Sequence, residues 1–334
     1  MMPSVPPPTT ISALRSAADA PNGGPAPIVT LTLNPALDVS LATEVVVPTH
    51  KLRTGPPLYQ PGGGGINVSR VCRRLGEPTI AVLPLGGPSG ARIADLLIAE
   101  LDEADVRAIP IRGDTRESIS IMSNSSGDQY RFVLPGPTLT AAEVDLCLDT
   151  VAATALDAGS RCVAVSGSVP DGVALDMFAR LVNLIPNTSV LVDTSGPALT
   201  AALLSGAHLV KPSARELAAV VDRELLTEAD IIDAARQVKS ESDVDVIVVS
   251  IGPGGAVVVT ADDTIRLRAP TVQVRSSVGA GDSMVAGIAV GLNRHLDLVQ
   301  AVALGVAAGT ATVLTDGTDL CNPADVDRLL ALIG

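Results

Sequence analysis

The 334-residue chain contains no tryptophan, two tyrosines and two phenylalanines, so it has no aromatic platform on which nucleic-acid bases could stack. Positive charge is also short. Against 36 acidic residues stand 23 basic ones, a net charge of −13, which argues against a nucleic-acid or anionic-membrane surface. The four cysteines, Cys72, Cys147, Cys162 and Cys321, form no CxxC pair, and His50, His208 and His295 are scattered. Neither a zinc site nor a disulfide framework is suggested, and reduced thiols in a cytoplasmic protein are the plain reading. No uninterrupted run of about 20 apolar residues exists, so no membrane span is expected. Residues 1–27 are rich in Pro and Ala and lack the apolar core of a signal peptide. They read as a mobile tail.

What the chain has in quantity is small and branched aliphatics, within an apolar share of 47%, enough for a large core. Short β-rich apolar runs recur at 28–33, 79–83, 162–165, 189–192, 208–210 and 244–250. Between most of them lie stretches with helical spacing, at 67–75, 91–101, 141–153, 175–184, 215–221 and 228–239. This alternation predicts βαβ units: an α/β fold with a mostly parallel sheet and helices on both faces. Ligands of such sheets bind at the carboxyl ends of the strands.

Residues 37–61 and 117–135 break the rhythm with polar–apolar alternation, and Ser125-Ser126-Gly127-Asp128 signals a hairpin turn. The two segments predict a small antiparallel sheet. Its apolar face needs cover, either as a lid over a site or against a second copy in a homodimer. One domain over 28–334 with a lid is the expected organisation.

Two glycine turns carry the chemistry. Val278-Gly279-Ala280-Gly281-Asp282-Ser283 leads into an apolar helix, where converging amides and the helix dipole can hold an anion. Asp282 sits at the rim, placed to take a proton from a hydroxyl; an ordinary N-cap aspartate is the alternative. Pro61-Gly62-Gly63-Gly64-Gly65-Ile66-Asn67 is neither a Walker loop nor a GxGxxG fingerprint.

Together these turns resemble the two signatures of the PfkB family of sugar kinases, which have the ribokinase-like fold. The resemblance extends from about Ile28 to the C-terminus. It takes in Thr32-Leu33-Asn34-Pro35-Ala36-Leu37-Asp38, Ser166-Gly167-Ser168-Val169-Pro170 and Lys211-Pro212-Ser213-Ala214-Arg215-Glu216. Gly64 and Gln129-Tyr130-Arg131-Phe132 are similar to the 6-phosphofructokinase branch; 1-phosphofructokinases and tagatose-6-phosphate kinases usually carry Lys at the position of Gly64. The opening Leu-Asn-Pro-Ala-Leu-Asp is shared with 1-phosphofructokinases.

The resemblance implies ATP-dependent phosphorylation of a sugar phosphate, with Asp282 as general base and the amides of Gly279, Ala280 and Gly281 as anion hole. Asp38, Asn67 and the backbone of Gly63 and Gly64 would bind sugar hydroxyls, and Arg116 and Arg131 the sugar phosphate. Ser168 would touch the sugar or its phosphate, or merely cap a turn. Lys51, on an expected lid strand with Arg53, would reach a phosphate or remain a solvated edge lysine. Lys211 would meet the ATP phosphates, and Glu216 would orient Mg²⁺ through water. Ser213 stands where the family usually has Asn, which puts metal affinity in question. Ser250, Gly252 and Gly255 would wall the nucleotide pocket, and Thr310 lies in a small-residue stretch that would admit adenine or simply pack two helices. Ser276, Val278 and Gly317 match positions that bind K⁺ through backbone oxygens.

Overall fold

The computed structural model describes residues 25–333; residues 1–24 of the expected tail lie outside the described residues. The chain opens with β1 (Ile28–Leu31), β2 (Ala36–Thr43), β3 (Leu58–Gly62), α1 (Gly64–Arg74), β4 (Thr79–Leu85), α2 (Gly87–Leu101) and β5 (Val106–Pro110). It continues through β6 (Arg116–Ser123), β7 (Gln129–Val133), α3 (Ala141–Asp157), β8 (Cys162–Ser166), α4 (Met177–Leu184), β9 (Ser189–Asp193) and α5 (Pro197–Leu203). Then follow β10 (Leu209–Val210), α6 (Ala214–Val220), α7 (Glu228–Ser240), β11 (Val246–Ser250), β12 (Gly255–Val259) and β13 (Thr264–Arg268). The last elements are α8 (Ala280–Asn293), α9 (Leu298–Thr312) and α10 (Pro323–Leu330).

The main sheet has nine strands in the order β13-β12-β11-β10-β9-β8-β1-β4-β5. Pairing from β11 to β5 is parallel, and β12 and β13 add an antiparallel edge. Both faces are covered, as the continuous apolar strands predict. One core joins the sheet to α3, α4, α5 and α7; the other joins it to α1, α8, α9 and α10. Local signals fix the helix starts. Thr140 with Glu143, Thr227 with Asp230 and Asp297 with Gln300 form capping boxes that satisfy first-turn amides.

The tightest pairing of helices is α8 on α9. A β-carbon on Gly287 would lie 2.7 Å from Gly305 Cα, and one on Gly291 would lie 2.6 Å from Ala301 Cα. The small residues there let two backbones approach, and the Thr310 hydroxyl donates to Val306 O at 2.7 Å within its own helix. Helix packing is thus a sufficient reason for the small residues of this stretch.

The smaller sheet runs β3-β2-β6-β7 and departs from expectation in one respect. β3–β2 and β6–β7 are antiparallel, but β2 and β6 run parallel. Between them the chain crosses β3, α1, β4, α2 and β5 and returns to the same edge, so both strands leave the main sheet in one direction. The predicted hairpin turn joins β6 to β7, with Gly127 at φ 74. Lys51 and Arg53 are not on a strand. They fall in the loop between β2 and β3, where Pro48, Pro56 and Pro57 remove the donors a ladder needs.

The strand order reverses around β1: the chain builds outward through β4 and β5, then returns to β8 and builds the other way. A crevice opens outside the carboxyl ends of strands at such a switch point. The lid sheet projects from the same end, because β2 follows β1 directly.

Candidate active site

At that switch point Asp38, Gly63, Gly64, Asn67, Arg116, Arg131, Val278, Gly279 and Asp282 line one cleft of about 380 Å³. Asp282 is the third residue of α8, and its side chain does not cap the helix. The N-cap is Gly279, held at φ 75, where a side chain would be strained. The Asp282 carboxylate instead accepts from Asn67 Nδ2 at 2.8 Å on one oxygen and from Ser166 Oγ at 3.4 Å on the other. Burial pushes its pKa up to about 7 and the Asp193 carboxylate adds to the rise, against the Asn67 bond, Lys211 and Ser166. A carboxylate that titrates near neutrality and touches a cleft is suited to proton transfer.

The turn beneath it offers donors. The Ser283 amide is taken by Gly279 O at 2.8 Å, and the Ala280 amide makes a long bond of 3.4 Å to Ser277 O. The first-turn amides of Gly281 and Asp282 have no backbone acceptor among the described residues, which leaves them for an anion at the positive end of the helix dipole.

On the lid side, Asp38 of β2 lies so close to Gly62 that any β-carbon there would overlap its carboxylate. Burial raises the Asp38 pKa, and Arg131, Arg116 and a bond from Ser118 oppose the rise. Arg116 is half-buried, and desolvation lowers its pKa while Asp38 works against the shift. It donates from Nε to Asn34 Oδ1 at 3.0 Å and from Nη2 to Asn34 O at 3.1 Å. Arg131, on β7 opposite Ser120, is exposed and makes no ion pair among the described residues. Ser168 does not line the cleft; its hydroxyl accepts from Asn34 Nδ2 at 2.9 Å. Lys51 does not line it either.

Behind the turn sits a second charged group. Lys211, 3% exposed, pairs with Asp193 at 3.1 Å. A β-carbon on Gly281 would lie 3.8 Å from Lys211 Nζ and 3.9 Å from Asp193 Oδ2, so the pair abuts the start of α8. Burial raises the Asp193 pKa against the pull of Lys211, with Glu216 adding to the rise. Sequence reasoning does not single out Asp193. Its only signal is position, as the polar residue that ends the apolar strand β9 at the carboxyl edge.

Ser213 and Glu216 form the capping box of α6. The Ser213 amide and hydroxyl meet Glu216 Oε2 at 2.7 and 2.9 Å, and the Glu216 amide returns to Ser213 Oγ at 3.2 Å. The serine that replaces the family asparagine therefore binds the acid itself. Ser250 adjoins this loop through its amide to Pro212 O at 2.9 Å. Gly252 and Gly255 follow at the same end of the sheet. At Gly255, φ is +100 and a side chain would overlap Leu267 O, which is a packing reason for the glycine. Ser276 Oγ donates to Gly317 O at 2.6 Å and accepts from the Val278 amide at 3.3 Å, so these three residues lie together.

A divalent cation fits the donor chemistry here. Among the described residues no group of three or more His, Cys, Asp or Glu side chains forms a cage. Magnesium asks for less: one or two carboxylates, water and substrate phosphates. Asp193 and Glu216 supply two hard carboxylates, and the neighbouring Thr194 hydroxyl is buried without a partner among the described residues.

Comparison with known proteins gives concordant results. The profile of the pfkB family carbohydrate kinase matches residues 37–325. The ATP-dependent 6-phosphofructokinase isozyme 2 of Mycobacterium tuberculosis is 45% identical over 309 residues, covering 91% of this chain and 89% of that protein. Phosphofructokinase-2 from Escherichia coli superposes in its potassium complex with a TM-score of 0.85 at 38% identity, covering 92% and 99% of the two chains. Its complex with fructose-6-phosphate superposes with a TM-score of 0.83 at 36% identity over the same shares.

Proposed function

The chain belongs to the pfkB family of carbohydrate kinases, and from that premise we propose that it is an ATP-dependent 6-phosphofructokinase. The γ-phosphoryl group of ATP passes to the C1 hydroxyl of fructose 6-phosphate, giving fructose 1,6-bisphosphate and ADP. One observation carries this reading: the Asp282 carboxylate, with a pKa raised to about 7, shares a cleft with Arg116, Arg131 and the Asp38 carboxylate.

Asp38, Asn67 and the backbone of Gly63 and Gly64 hold the sugar hydroxyls, and Arg131 with Arg116 holds the 6-phosphate. Asn67 has a second duty, since its bond to Asp282 keeps that carboxylate in place. As the C1 oxygen attacks phosphorus in line, its proton goes to Asp282 and the bond from phosphorus to the ADP oxygen breaks. The amides at the start of α8 hold the charge spread over the transferred group, and Lys211 supports the leaving side. Mg²⁺, held through water by Glu216 with Asp193 near it, would neutralise phosphate charge.

K⁺ is proposed beside the anion turn, at the oxygens of Ser276, Val278 and Gly317; the similar phosphofructokinase-2 from Escherichia coli forms a potassium complex. A homodimer through the lid is proposed because Tyr130, Phe132 and Leu134 are 40%, 55% and 43% exposed. Alternate positions on an extended segment share a face, so these three form one apolar patch that a second copy would cover. A cytoplasmic location agrees with four free, buried thiols; no described helix is long and apolar enough to cross a membrane.

The deciding experiment is ADP release from Mg-ATP with fructose 6-phosphate, fructose 1-phosphate, tagatose 6-phosphate and fructose in parallel. The proposal requires the highest kcat/KM with fructose 6-phosphate. Preference for another sugar would move the substrate within the family, and binding without turnover would make the protein a sensor.

A further inference from the structure

Asn34 follows β1 and has no part in the reading above, yet its side-chain amide and its backbone oxygen are engaged. Oδ1 accepts from Arg116 Nε, the backbone oxygen accepts from Arg116 Nη2, and Nδ2 donates to Ser168 Oγ. Nε and Nη2 form one edge of the planar guanidinium, so a single residue holds that whole edge. The remaining donors, on Nη1 and the outer side of Nη2, form a second fork that is left for the cleft Arg116 lines. Room for this arrangement comes from Gly136, beyond β7, where any β-carbon would overlap Asn34 Oδ1. Three loops, after β1, β7 and β8, thus converge on one amide.

We infer that Asn34 is a positioning residue that grips the inner edge of Arg116 so that its outer fork faces the phosphate of the sugar substrate. Ser168 then anchors the far end of the Asn34 amide. A free arginine side chain samples many rotamers, and ordering it on binding costs entropy; one already held by two bonds has met that cost in folding. The contrast with Arg131, which is exposed and makes no ion pair among the described residues, gives the two arginines different jobs. Arg116 fixes where the phosphate sits, and Arg131 closes on it.

This inference rests on the proposed sugar-phosphate substrate, and the test separates the two. Wild type, Asn34→Ala, Gly136→Ala, Arg116→Ala and Asn34→Ala/Arg116→Ala are compared by steady-state kinetics and thermal melting. Substrates are fructose 6-phosphate and unphosphorylated fructose, each with Mg-ATP. Asn34→Ala should raise KM for fructose 6-phosphate about tenfold, while kcat/KM on fructose and KM for ATP change less than about twofold. Gly136→Ala, which displaces Oδ1 without deleting a partner, should shift KM the same way. The double variant should be no worse than Arg116→Ala by more than about twofold, because Asn34 acts only through Arg116.

Multiplying losses in the double variant would overturn the inference. So would an equal loss on both sugars with a lowered Tm, the mark of a turn that merely ties loops together. If wild type prefers another sugar phosphate, the substrate in the proposed function falls, and the same ratios measured on that compound decide the role of Asn34. Indifference of wild type to any phosphate on the sugar overturns both.

Discussion

Acidification should silence this enzyme through one carboxyl. Asp282 has to be ionised to accept a proton, and its surroundings place its pKa at about 7. At pH 6 a group with that pKa is about nine-tenths protonated, so kcat/KM should be about a tenth of its alkaline plateau. An aspartate in water, with a pKa near 3.9, would leave the rate flat over the same range. The complication is the substrate, because a phosphate monoester loses its second proton near pH 6. A second variant separates the two. Asp193→Asn removes a negative charge that raises the Asp282 pKa and frees Lys211, which lowers it. Both changes push the Asp282 limb toward acid, whereas a limb owned by the substrate phosphate would stay put. The assay is initial ADP release from pH 5 to 9 at saturating Mg-ATP and limiting sugar phosphate. A lower plateau in Asp193→Asn is immaterial, since the midpoint carries the information. A midpoint that does not move, or a wild-type rate still flat at pH 6, would refute the claim that Asp282 is the titrating base.

Three further outcomes follow from the same geometry. Asp282→Asn should lower kcat by about two to four orders of magnitude, and it should also stabilise the fold. Between the ordinary aspartate value of 3.8 and about 7 the folded state binds more protons than the unfolded state, so stability falls as pH rises through that window. The Tm of the variant should therefore exceed wild type by about 2–4 °C at pH 8 and match it below about pH 4; a lower Tm at pH 8 would contradict the burial account. Glu216→Ala should raise the Mg²⁺ concentration for half-maximal rate about tenfold, read by metal titration, and an unchanged requirement would leave Glu216 as a helix cap only. Phe132→Asp should shift the protein toward monomer in sedimentation velocity, and an unaltered dimer would move the interface off the lid.

The fold was legible wherever hydrophobic period alone decides. The apolar runs at 162–165 and 189–192 became β8 and β9 almost to the residue, because strands buried on both faces tolerate little else. The strands β5, β12 and β13 were missed; β5 and β13 lie at the sheet's edges, where mixed exposure blurs the pattern. The parallel pairing of β2 and β6 could not be read locally, since strand direction depends on the path of the chain between them. At the site, glycine turns advertise themselves, but single residues brought in by topology do not. Asp193 reaches Lys211 because β9 and β10 are adjacent parallel strands, and Asn34 reaches Ser168 because β1 and β8 are.

Gly64 shows how one residue can carry a meaning that sequence comparison and geometry state differently. By resemblance it marks a branch of the family, as the place where related kinases keep a lysine. In the structure it is the first residue of α1, and an ideal β-carbon there would overlap Ser166 Oγ and lie 2.7 Å from the Gly167 amide. The missing side chain lets the start of α1 rest directly on the carboxyl end of β8. Three residues further along the same helical turn is Asn67, and at the point of contact is Ser166. These are the two residues that hold the Asp282 carboxylate. The glycine therefore sets the close approach of the two partners of the proposed base in this chain, and a side chain at this position would require Ser166 and the Gly167 backbone to shift.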